Sequence, residues 1–331
     1  MSTEELVDLS REHSQPSIEK NRRKKKKRSF RIFTGLALVL VIVVVLVGGI
    51  SAYSDEVLIR PVRMSITTNP GNYGLKYENV SFLSRIDHIH LSGWFIPSLS
   101  PSDRTIIIAH GHAANRMDPD TNQMFMFPVL VKHGYNVFTF DFRDSGESDG
   151  TVDTVGYLEQ RDLEGAFDYI KSRPQDEGRH IGFLGYSMGA AVSLLVAANE
   201  PGVEAVVADS SFADLQQYLE ANLSKYSHLP YFPFTPVMEW LSVPLTGFDP
   251  SKVQPIKSIA RISPRPILLI HGEADTQISI DNSRQLFAAA HNPNAQLWTV
   301  PNADHVQSYK TEPVAYLDHV MTFFDKSFGK K

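Results

Sequence analysis

Short apolar runs alternate with longer amphipathic stretches through most of the chain. The runs are rich in β-branched and aromatic residues, which is typical of buried strands. Eight strands are predicted, and the first two form an antiparallel pair: LKYENVSFLS, HIHLSGWFI, RTIIIAH, NVFTFDF, HIGFLGY, AVVAD, PILLIHG and AQLWTV. Helices are predicted between and after them, at Asn122–His133, Gly156–Ser172, Met188–Asn199, Asn282–Ala290 and Val314–Phe328. This alternation predicts an α/β fold with a mostly parallel, doubly wound sheet of about eight strands.

One interval interrupts this alternation. More than fifty residues separate Asp209, at the end of one predicted strand, from Pro266, at the start of the next, although a normal crossover needs far fewer. The interval combines prolines with aromatic side chains, namely Tyr218, Tyr226, Tyr231, Phe232, Phe234, Trp240 and Phe248. We expect a short helical cap over the carboxyl edge of the sheet, inserted at about 212–262. The alternative is a structural insertion that never contacts substrate.

The most apolar segment of the chain lies near its N-terminus. Residues 32–54 carry no charge, and a helix of this length reaches about 34 Å, enough to cross a hydrocarbon core of about 30 Å. Seven consecutive basic residues, Arg22–Arg28, precede it and predict that this end stays in the cytoplasm. The expected organisation is a basic cytoplasmic tail at 1–31, a transmembrane signal-anchor at 32–54, a linker at 55–72 and an extracytoplasmic folded domain at 73–331.

A cleaved signal peptide is the alternative to this anchor. Ile50-Ser51-Ala52 would be a weak processing site. The apolar segment is longer than the roughly 7–15 residues usual for the core of a signal peptide, which favours the uncleaved anchor.

Composition and charge limit the classes of partner and chemistry. The chain has 331 residues, 42% of them hydrophobic, which is sufficient for one large folded domain. It has no cysteine, which excludes a disulfide framework and a thiolate metal site. The net charge of −5 divides into +5 for residues 1–31 and −10 for the remainder. A domain this acidic disfavours nucleic acid and other polyanions as partners.

A serine between two glycines lies where a predicted strand becomes a predicted helix. The stretch GFLGYSMGAA contains Gly185, Ser187 and Gly189 as a Gly-x-Ser-x-Gly motif. Such a turn holds the serine in a strained backbone conformation, and only small neighbours leave room for it. The N-terminal end of a helix also favours developing negative charge. The sequence therefore predicts that Ser187 is a nucleophile, although glycines that merely pack a helix against a strand would give the same pattern.

A serine hydroxyl is a weak nucleophile and needs a base. Functional side chains of α/β sheets collect on loops beyond the carboxyl ends of the strands. The loop after PILLIHG offers Asp275, and the loop after AQLWTV offers His305. In folds with such a turn, the triad residues follow one another along the chain in the order serine, acid, histidine. Ser187, Asp275 and His305 have this order. Asp209, at the end of AVVAD, is the alternative acid, and His110 and His271 are expected to be structural.

Five segments together resemble the α/β-hydrolases, from about Val80 to the C-terminus. They are HGHAAN, DFRDSGES, GYSMGA, HGEADTQIS and ADH. The chain looks like the small, cap-bearing bacterial serine hydrolases of the esterase, lipase and thioesterase type. DFRDSGES departs from the Arg-Gly-x-Gly-x-Ser that is common in the family, in a loop where Arg143 and Asp144 are expected to brace the structure. The resemblance implies an oxyanion hole formed by the backbone N–H groups of His112 and Met188.

The resemblance also implies a function. We expect a membrane-anchored serine hydrolase that cleaves carboxylic esters or thioesters through an acyl-enzyme, with a small, apolar acyl ester as substrate. No cofactor is expected, and His88 and His90 lack a third ligand that would make them a metal site. One alternative is a peptidase of the prolyl-oligopeptidase type, although such enzymes normally carry a large extra domain for which this chain has no room before its third strand. The other alternative is a non-catalytic envelope binding protein.

Overall fold

The computed structural model describes residues 3–173 and 179–329. Eight strands form one sheet: β1 (Glu78–Leu83), β2 (His90–Ile96), β3 (Arg104–Ala109), β4 (Asn136–Phe140), β5 (His180–Tyr186), β6 (Ala205–Asp209), β7 (Ile267–Gly272) and β8 (Ala295–Val300). Their order across the sheet is β1-β2-β4-β3-β5-β6-β7-β8. β1 and β2 pair antiparallel, β2 pairs antiparallel with β4, and every other pairing among these strands is parallel. The predicted mostly parallel sheet is therefore confirmed.

Both faces of this sheet are covered, which explains why the central strands are continuously apolar. Successive side chains of a strand point to opposite faces. In β3, Ile107 packs into the core on one face, whereas Ile106 and Ile108 pack into the core on the other. A strand buried on both sides consequently shows no alternation of apolar and polar residues.

Eight helices of more than two turns surround the sheet in the described residues. They are α1 (Thr3–Ile59), α2 (Gln123–His133), α3 (Glu159–Ser172), α4 (Met188–Ala197), α5 (Leu215–Ser227), α6 (Tyr231–Thr246), α7 (Asp281–Ala290) and α8 (Pro313–Ser327). α2 and α8 contribute to the core on one face, and α3, α4 and α7 contribute to the core on the other. One-turn helices lie at Pro255–Ser258 and Ser308–Thr311, and 3-10 turns lie at Pro70–Tyr73, Pro250–Lys252 and Ile259–Ile262.

Helices α5 and α6 occupy the long interval between β6 and β7. Asp214 begins α5 by accepting a hydrogen bond from the Gln217 amide at 3.2 Å, a common way to satisfy the first turn of a helix. Leu215, Leu219 and Leu223, spaced one turn apart, are buried in the core. In contrast, α6 leaves Phe232 78% and Trp240 75% exposed. We call α5 and α6 together the cap helices.

The N-terminal helix continues beyond the predicted span. α1 reaches Ile59, so the first residues of the expected linker at 55–72 are helical. The helix ends just before Pro61, because a residue that precedes proline is disfavoured in the helical conformation. Lys20–Ile59 is the one helix among the described residues that is long and apolar enough to span a membrane.

The C-terminal end of α1 is fixed to the folded domain. Ile59 is buried in the core, and its carbonyl accepts a hydrogen bond from the Asp153 amide at 2.8 Å. The Arg60 guanidinium donates to the Thr151 carbonyl at 2.8 Å. Earlier turns of α1 pack against α6. The apolar helix is thus in contact with both the domain and its cap helices.

Candidate active site

Ser187 occupies the turn between β5 and α4. β5 ends at Tyr186, α4 begins at Met188, and Ser187 between them has φ 52° and ψ −116°. A positive φ is a strained conformation for a residue with a side chain. The turn is tightly packed: a Cβ atom on Gly185 would lie 2.3 Å from the Gly189 carbonyl oxygen, and one on Gly189 would lie 2.2 Å from the Ala109 carbonyl oxygen. The residues two positions before and after the serine are glycine because backbone atoms fill the space around them.

The structure brings the three side chains of the predicted triad together. His305 Nε2 lies 2.9 Å from Ser187 Oγ, and His305 Nδ1 lies 2.8 Å from Asp275 Oδ2. The three residues follow β5, β7 and β8, so the carboxyl edge of the sheet collects them as expected. This arrangement lets the imidazole accept the serine proton while the carboxylate fixes its orientation.

Asp275 is held as a carboxylate by several donors. Its Oδ1 accepts hydrogen bonds from the amides of Gln277 at 2.9 Å and Ile278 at 2.8 Å, and His271 Nε2 lies 3.2 Å from its Oδ2. Burial opposes ionisation, but the hydrogen bonds from His271 and His305 outweigh it and hold the pKa of Asp275 well below its usual range. The carboxylate is therefore ionised at neutral pH.

Asp304 joins the loop that carries Asp275 to the loop that carries His305. Its Oδ1 accepts hydrogen bonds from the Thr276 amide at 2.9 Å and from the His305 amide at 2.8 Å. These bonds lower the pKa of Asp304. In the sequence, Asp304 belongs to the ADH segment, but no role was predicted for it. Its position next to His305 was the one signal in the sequence that it could act on the site. In the structure, its carboxylate holds these two loops together.

The two predicted oxyanion donors flank Ser187. Met188 is the first residue of α4, and the loop after β3 that carries Gly111 and His112 passes beside Ser187, since a Cβ atom on Gly111 would lie 3.4 Å from Ser187 Cβ. Among the hydrogen bonds of the described residues, none has the His112 or the Met188 amide as its donor. The oxyanion role of these two N–H groups remains a prediction from the family resemblance.

The His112 side chain has a separate environment. Its Nδ1 lies 2.9 Å from Oδ2 of the buried Asp153. Burial acts to lower the pKa of His112, but the negative charge of Asp153 has the larger total effect and raises this pKa above its usual value. Because the Asp153 amide also binds the Ile59 carbonyl, this pair lies between the end of α1 and the site.

Asp209, the alternative acid, contacts other groups. Its Oδ1 accepts hydrogen bonds from Ser210 Oγ at 3.0 Å and Ser308 Oγ at 3.4 Å, and burial raises its pKa to about 6. Its carbonyl oxygen accepts the Ser187 amide at 2.9 Å. In the described residues it is Asp275, and not Asp209, that is bonded to His305. Asp209 supports the serine turn through its backbone.

Two further polar residues, His110 and Arg143, have the structural surroundings that the sequence predicted for them. His110 Nδ1 lies 2.7 Å from the Gly111 carbonyl, and its Nε2 accepts the Phe142 amide at 3.0 Å. Arg143 binds Asp162 and Asp87, each at 2.7 Å. These contacts brace the loops that follow β3 and β4.

A cavity of about 350 Å³ opens beside Ser187 and His305. This volume lies within the range of small-molecule sites. Phe212, Tyr218 and Tyr226, from the interval of the predicted cap, supply aromatic lining, and the Tyr218 and Tyr226 hydroxyls are hydrogen-bonded to each other. Leu58, from α1, also lines the cavity. The sequence gave no signal for Leu58, which belongs to the expected linker.

Asp118 also lines this cavity, and the sequence gave no indication of it. It is buried, and burial raises the pKa of its carboxyl to about 7. Its Oδ1 accepts the Asp120 amide at 3.1 Å. Along the chain, the DPD segment has the composition of an exposed turn, so only the folded structure reveals the buried carboxyl.

The sheet topology and the serine turn at the end of β5 define an α/β hydrolase. Residues 121–331 match the family model described as the prolyl oligopeptidase family. The chain belongs to that family.

Similar proteins include both curated sequences and solved structures. YfhR of Escherichia coli O157:H7 is 31% identical over 238 residues, which are 70% of this chain and 74% of YfhR. The esterase Pf2001 of Pyrococcus furiosus has 29% identity and a TM-score of 0.68, covering 81% of this chain and 99% of its own. The lysophosphatidylserine lipase ABHD12 of Macaca fascicularis is 27% identical over 202 residues, 60% of this chain and 48% of ABHD12. These similarities support a hydrolase that is esterase-like or peptidase-like.

The packing around the serine turn predicts the effect of Gly189→Ala. The added methyl group meets two backbone carbonyls that cannot move aside as a side chain can, so we expect a loss of about 1–3 kcal/mol in the free energy of unfolding. Thermal unfolding of the full chain in detergent measures it. Gly49→Ala, where a Cβ atom has no neighbour within 4 Å, is the matched control. An equal melting temperature for both variants would contradict the close packing of the turn.

The buried carboxyl predicts a pH-dependent effect of Asp118→Asn. The folded protein keeps the Asp118 proton up to about pH 7, whereas the unfolded chain releases it near 3.8, so the wild type loses stability as pH rises through that window. Since one pKa unit corresponds to about 1.4 kcal/mol, we expect the variant to be more stable by roughly 2–4 kcal/mol above pH 7 and equally stable near pH 4.

Melting temperatures of the wild type and Asp118→Asn at pH 4 and pH 8 measure this difference. Asp318→Asn, at an exposed position of α8, is the control and should follow the wild type at both pH values. A stability difference between Asp118→Asn and the wild type that is the same at the two pH values would contradict the assignment.

Proposed function

We propose that the protein is a membrane-anchored serine hydrolase that cleaves carboxylic ester or thioester bonds through an acyl-enzyme. The observation that carries this proposal is the continuous hydrogen-bond chain from Ser187 through His305 to Asp275, with distances of 2.9 Å and 2.8 Å. A serine at a strained strand-to-helix turn, with a base and an orienting carboxylate in line, is the arrangement that activates a hydroxyl for acyl transfer.

The first half of the reaction transfers the acyl group to the enzyme. His305 Nε2 takes the proton of Ser187 as Oγ attacks the carbonyl carbon, and Asp275 stabilises the imidazolium that forms. The His112 and Met188 amides bind the oxyanion of the tetrahedral intermediate, where one donor typically contributes about 3–4 kcal/mol. The bond from the carbonyl carbon to the leaving oxygen or sulfur then breaks, and His305 returns its proton to the leaving group.

The second half of the reaction releases the acid. Water attacks the carbonyl carbon of the acyl-enzyme and gives a proton to His305. The bond to Ser187 Oγ breaks, and His305 returns the proton to Ser187. Asp275 remains a carboxylate throughout, in agreement with the direction in which its pKa is shifted.

The surroundings of Ser187 favour an acyl ester as substrate. Phe212, Tyr218 and Leu58 give the cavity apolar walls, which bind hydrocarbon better than a peptide backbone with its polar groups. The similarity to an esterase of Pyrococcus furiosus and to a lysophosphatidylserine lipase supports the same substrate class.

The N-terminal helix anchors this hydrolase in the cell membrane, with the basic run Arg22–Arg28 on the cytoplasmic side and the catalytic domain outside. The apolar length of α1 and the excess of positive charge at its N-terminal side support this orientation.

A peptidase is the second candidate, because the family to which the chain belongs is described as the prolyl oligopeptidase family. Peptidases of the prolyl-oligopeptidase type have a large domain that restricts access to the site. Between α1 and β3, the described residues of this chain form only a 3-10 turn and two strands, so the esterase remains the better supported function.

The proposed nucleophile predicts the outcome of Ser187→Ala. We expect kcat on 4-nitrophenyl butyrate to fall by at least about 10³-fold, since loss of a nucleophile removes the acyl-enzyme route. Ser172→Ala, an exposed serine at the end of α3, is the matched control and should retain full activity. Ester hydrolysis that survives Ser187→Ala would refute the proposal. Cleavage of a proline-containing peptide without any ester hydrolysis would establish the peptidase.

The proposed orientation predicts where a reactive probe reaches Ser187. We expect a membrane-impermeant fluorophosphonate to label the full chain equally in intact and in permeabilised spheroplasts, because Ser187 lies outside the cytoplasm. Ser187→Ala is the control and should stay unlabelled. Labelling that requires permeabilisation would reverse the orientation, and no labelling of folded protein under either condition would favour the non-catalytic binding protein.

A further inference from the structure

A second cavity lies beside the Ser187 cavity, between the end of α1 and the cap helices. Its volume is about 310 Å³, which is also within the range of ligand sites. α1 contributes Tyr53, Val57 and Leu58 to its wall, and the cap helices contribute Leu223, Tyr226 and Met238. We call it the α1–cap cavity.

The wall of the α1–cap cavity is apolar. Its hydrocarbon side chains belong to three helices, α1, α5 and α6, and the described lining residues other than His112 carry no charge at neutral pH. Such a wall gains free energy when it binds hydrocarbon and loses free energy when it binds an unpaired polar group. The chemistry of the cavity therefore favours an aliphatic chain as its occupant.

The α1–cap cavity adjoins the cavity that contains the proposed nucleophile. Leu58, His112 and Tyr226 line both. His112 is also the residue whose amide is the proposed oxyanion donor. An aliphatic chain that leads from a carbonyl at Ser187 therefore has only these shared side chains between the first cavity and the second.

The outer end of the α1–cap cavity lies at the membrane-proximal part of α1. Tyr53 is 71% exposed and Val57 is 53% exposed, so the cavity opens beside them. The apolar segment 32–54 ends at this point of the helix. On α6, which packs against α1, the exposed Tyr231 and Trp240 are of the two residue types that concentrate at membrane interfaces. The opening is therefore at the level where a bilayer would meet the domain.

We propose that the α1–cap cavity holds the acyl chain of a long-chain ester that reaches the site from the bilayer while Ser187 attacks the ester carbonyl. The anchor helix is then part of the substrate site. This inference rests on the proposed esterase function and names its substrate class: acyl esters of membrane lipids. Bond making and breaking follow the acyl-enzyme sequence already given, with the lipid alcohol as leaving group and water as the second reactant.

The test fills the α1–cap cavity from its rim. Val57→Trp adds an indole at a position that lines this cavity but not the Ser187 cavity. The full chain, in phosphatidylcholine vesicles, is assayed on 4-nitrophenyl palmitate and 4-nitrophenyl butyrate. Each methylene displaced from an apolar site weakens binding about fourfold, so we expect the palmitate-to-butyrate ratio of kcat/KM to fall tenfold or more. The butyrate rate should not change.

Two further variants complete the test. Val62→Trp makes the same substitution at a site just beyond α1 that is 93% exposed and should leave the ratio at its wild-type value. Leu223→Ala enlarges the α1–cap cavity from the cap side and should raise the ratio, which keeps the test valid if Val57→Trp fails to fold.

The outcomes separate this inference from the function on which it rests. An unchanged palmitate-to-butyrate ratio in Val57→Trp and Leu223→Ala would overturn the acyl-chain site while leaving the esterase intact. Equal loss of both activities in Val57→Trp, with the chain still folded, would also overturn it, because the effect would then not depend on chain length. If wild-type protein hydrolyses neither ester, the proposed esterase itself fails.

Discussion

The close contact between the start of α4 and the end of β3 is the constraint on which the rest of the site depends. A Cβ atom on Gly189 would lie 2.2 Å from the Ala109 carbonyl oxygen and 2.4 Å from the His110 carbonyl oxygen, so only glycine lets the helix begin so near the sheet. That approach forces Ser187 into a positive φ and directs its hydroxyl toward the loops beyond the strands. The strain is compensated by the surrounding packing, which includes the fully buried residues of α4.

The loops that meet Ser187 are held by hydrogen bonds and charge more than by apolar contacts. Asp275 is fixed by two amides and two imidazoles, and Asp304 joins its loop to that of His305. The bonds that Asp275 accepts favour its ionised form, and the bonds that Asp304 accepts hold the His305 loop beside it. At the buried Asp118, burial outweighs hydrogen bonding: the carboxyl has few donors, and burial raises its pKa. The pKa values of Asp275 and Asp118 are therefore shifted in opposite directions, because the two carboxyl groups differ in the hydrogen bonds that they accept.

The end of α1 connects the apolar N-terminal helix to this chemistry. The Ile59 carbonyl binds the Asp153 amide, and Asp153 lies 2.9 Å from the ring of His112. Leu58, one residue earlier, lines the cavity that contains Ser187. A helix long enough to span a membrane thus ends within two contacts of the proposed oxyanion donor. This proximity gives a physical reason to consider the apolar helix and the hydrolase domain as one functional unit.

The sequence by itself determined the strands, the helices and the residues with chemistry. Short apolar runs indicated all eight strands, and the Gly-x-Ser-x-Gly motif indicated Ser187, because both signals are local and depend on near neighbours in the chain. The sequence also indicated that the loops after β7 and β8 supply Asp275 and His305, since the carboxyl ends of parallel strands share an edge of the sheet. Only the tertiary structure decided which acid contacts His305, that His271 and Asp304 hold the loops, that Asp118 is buried, and that Leu58 reaches the site. These properties arise from contacts between segments distant along the chain, for which no local pattern of residues is required.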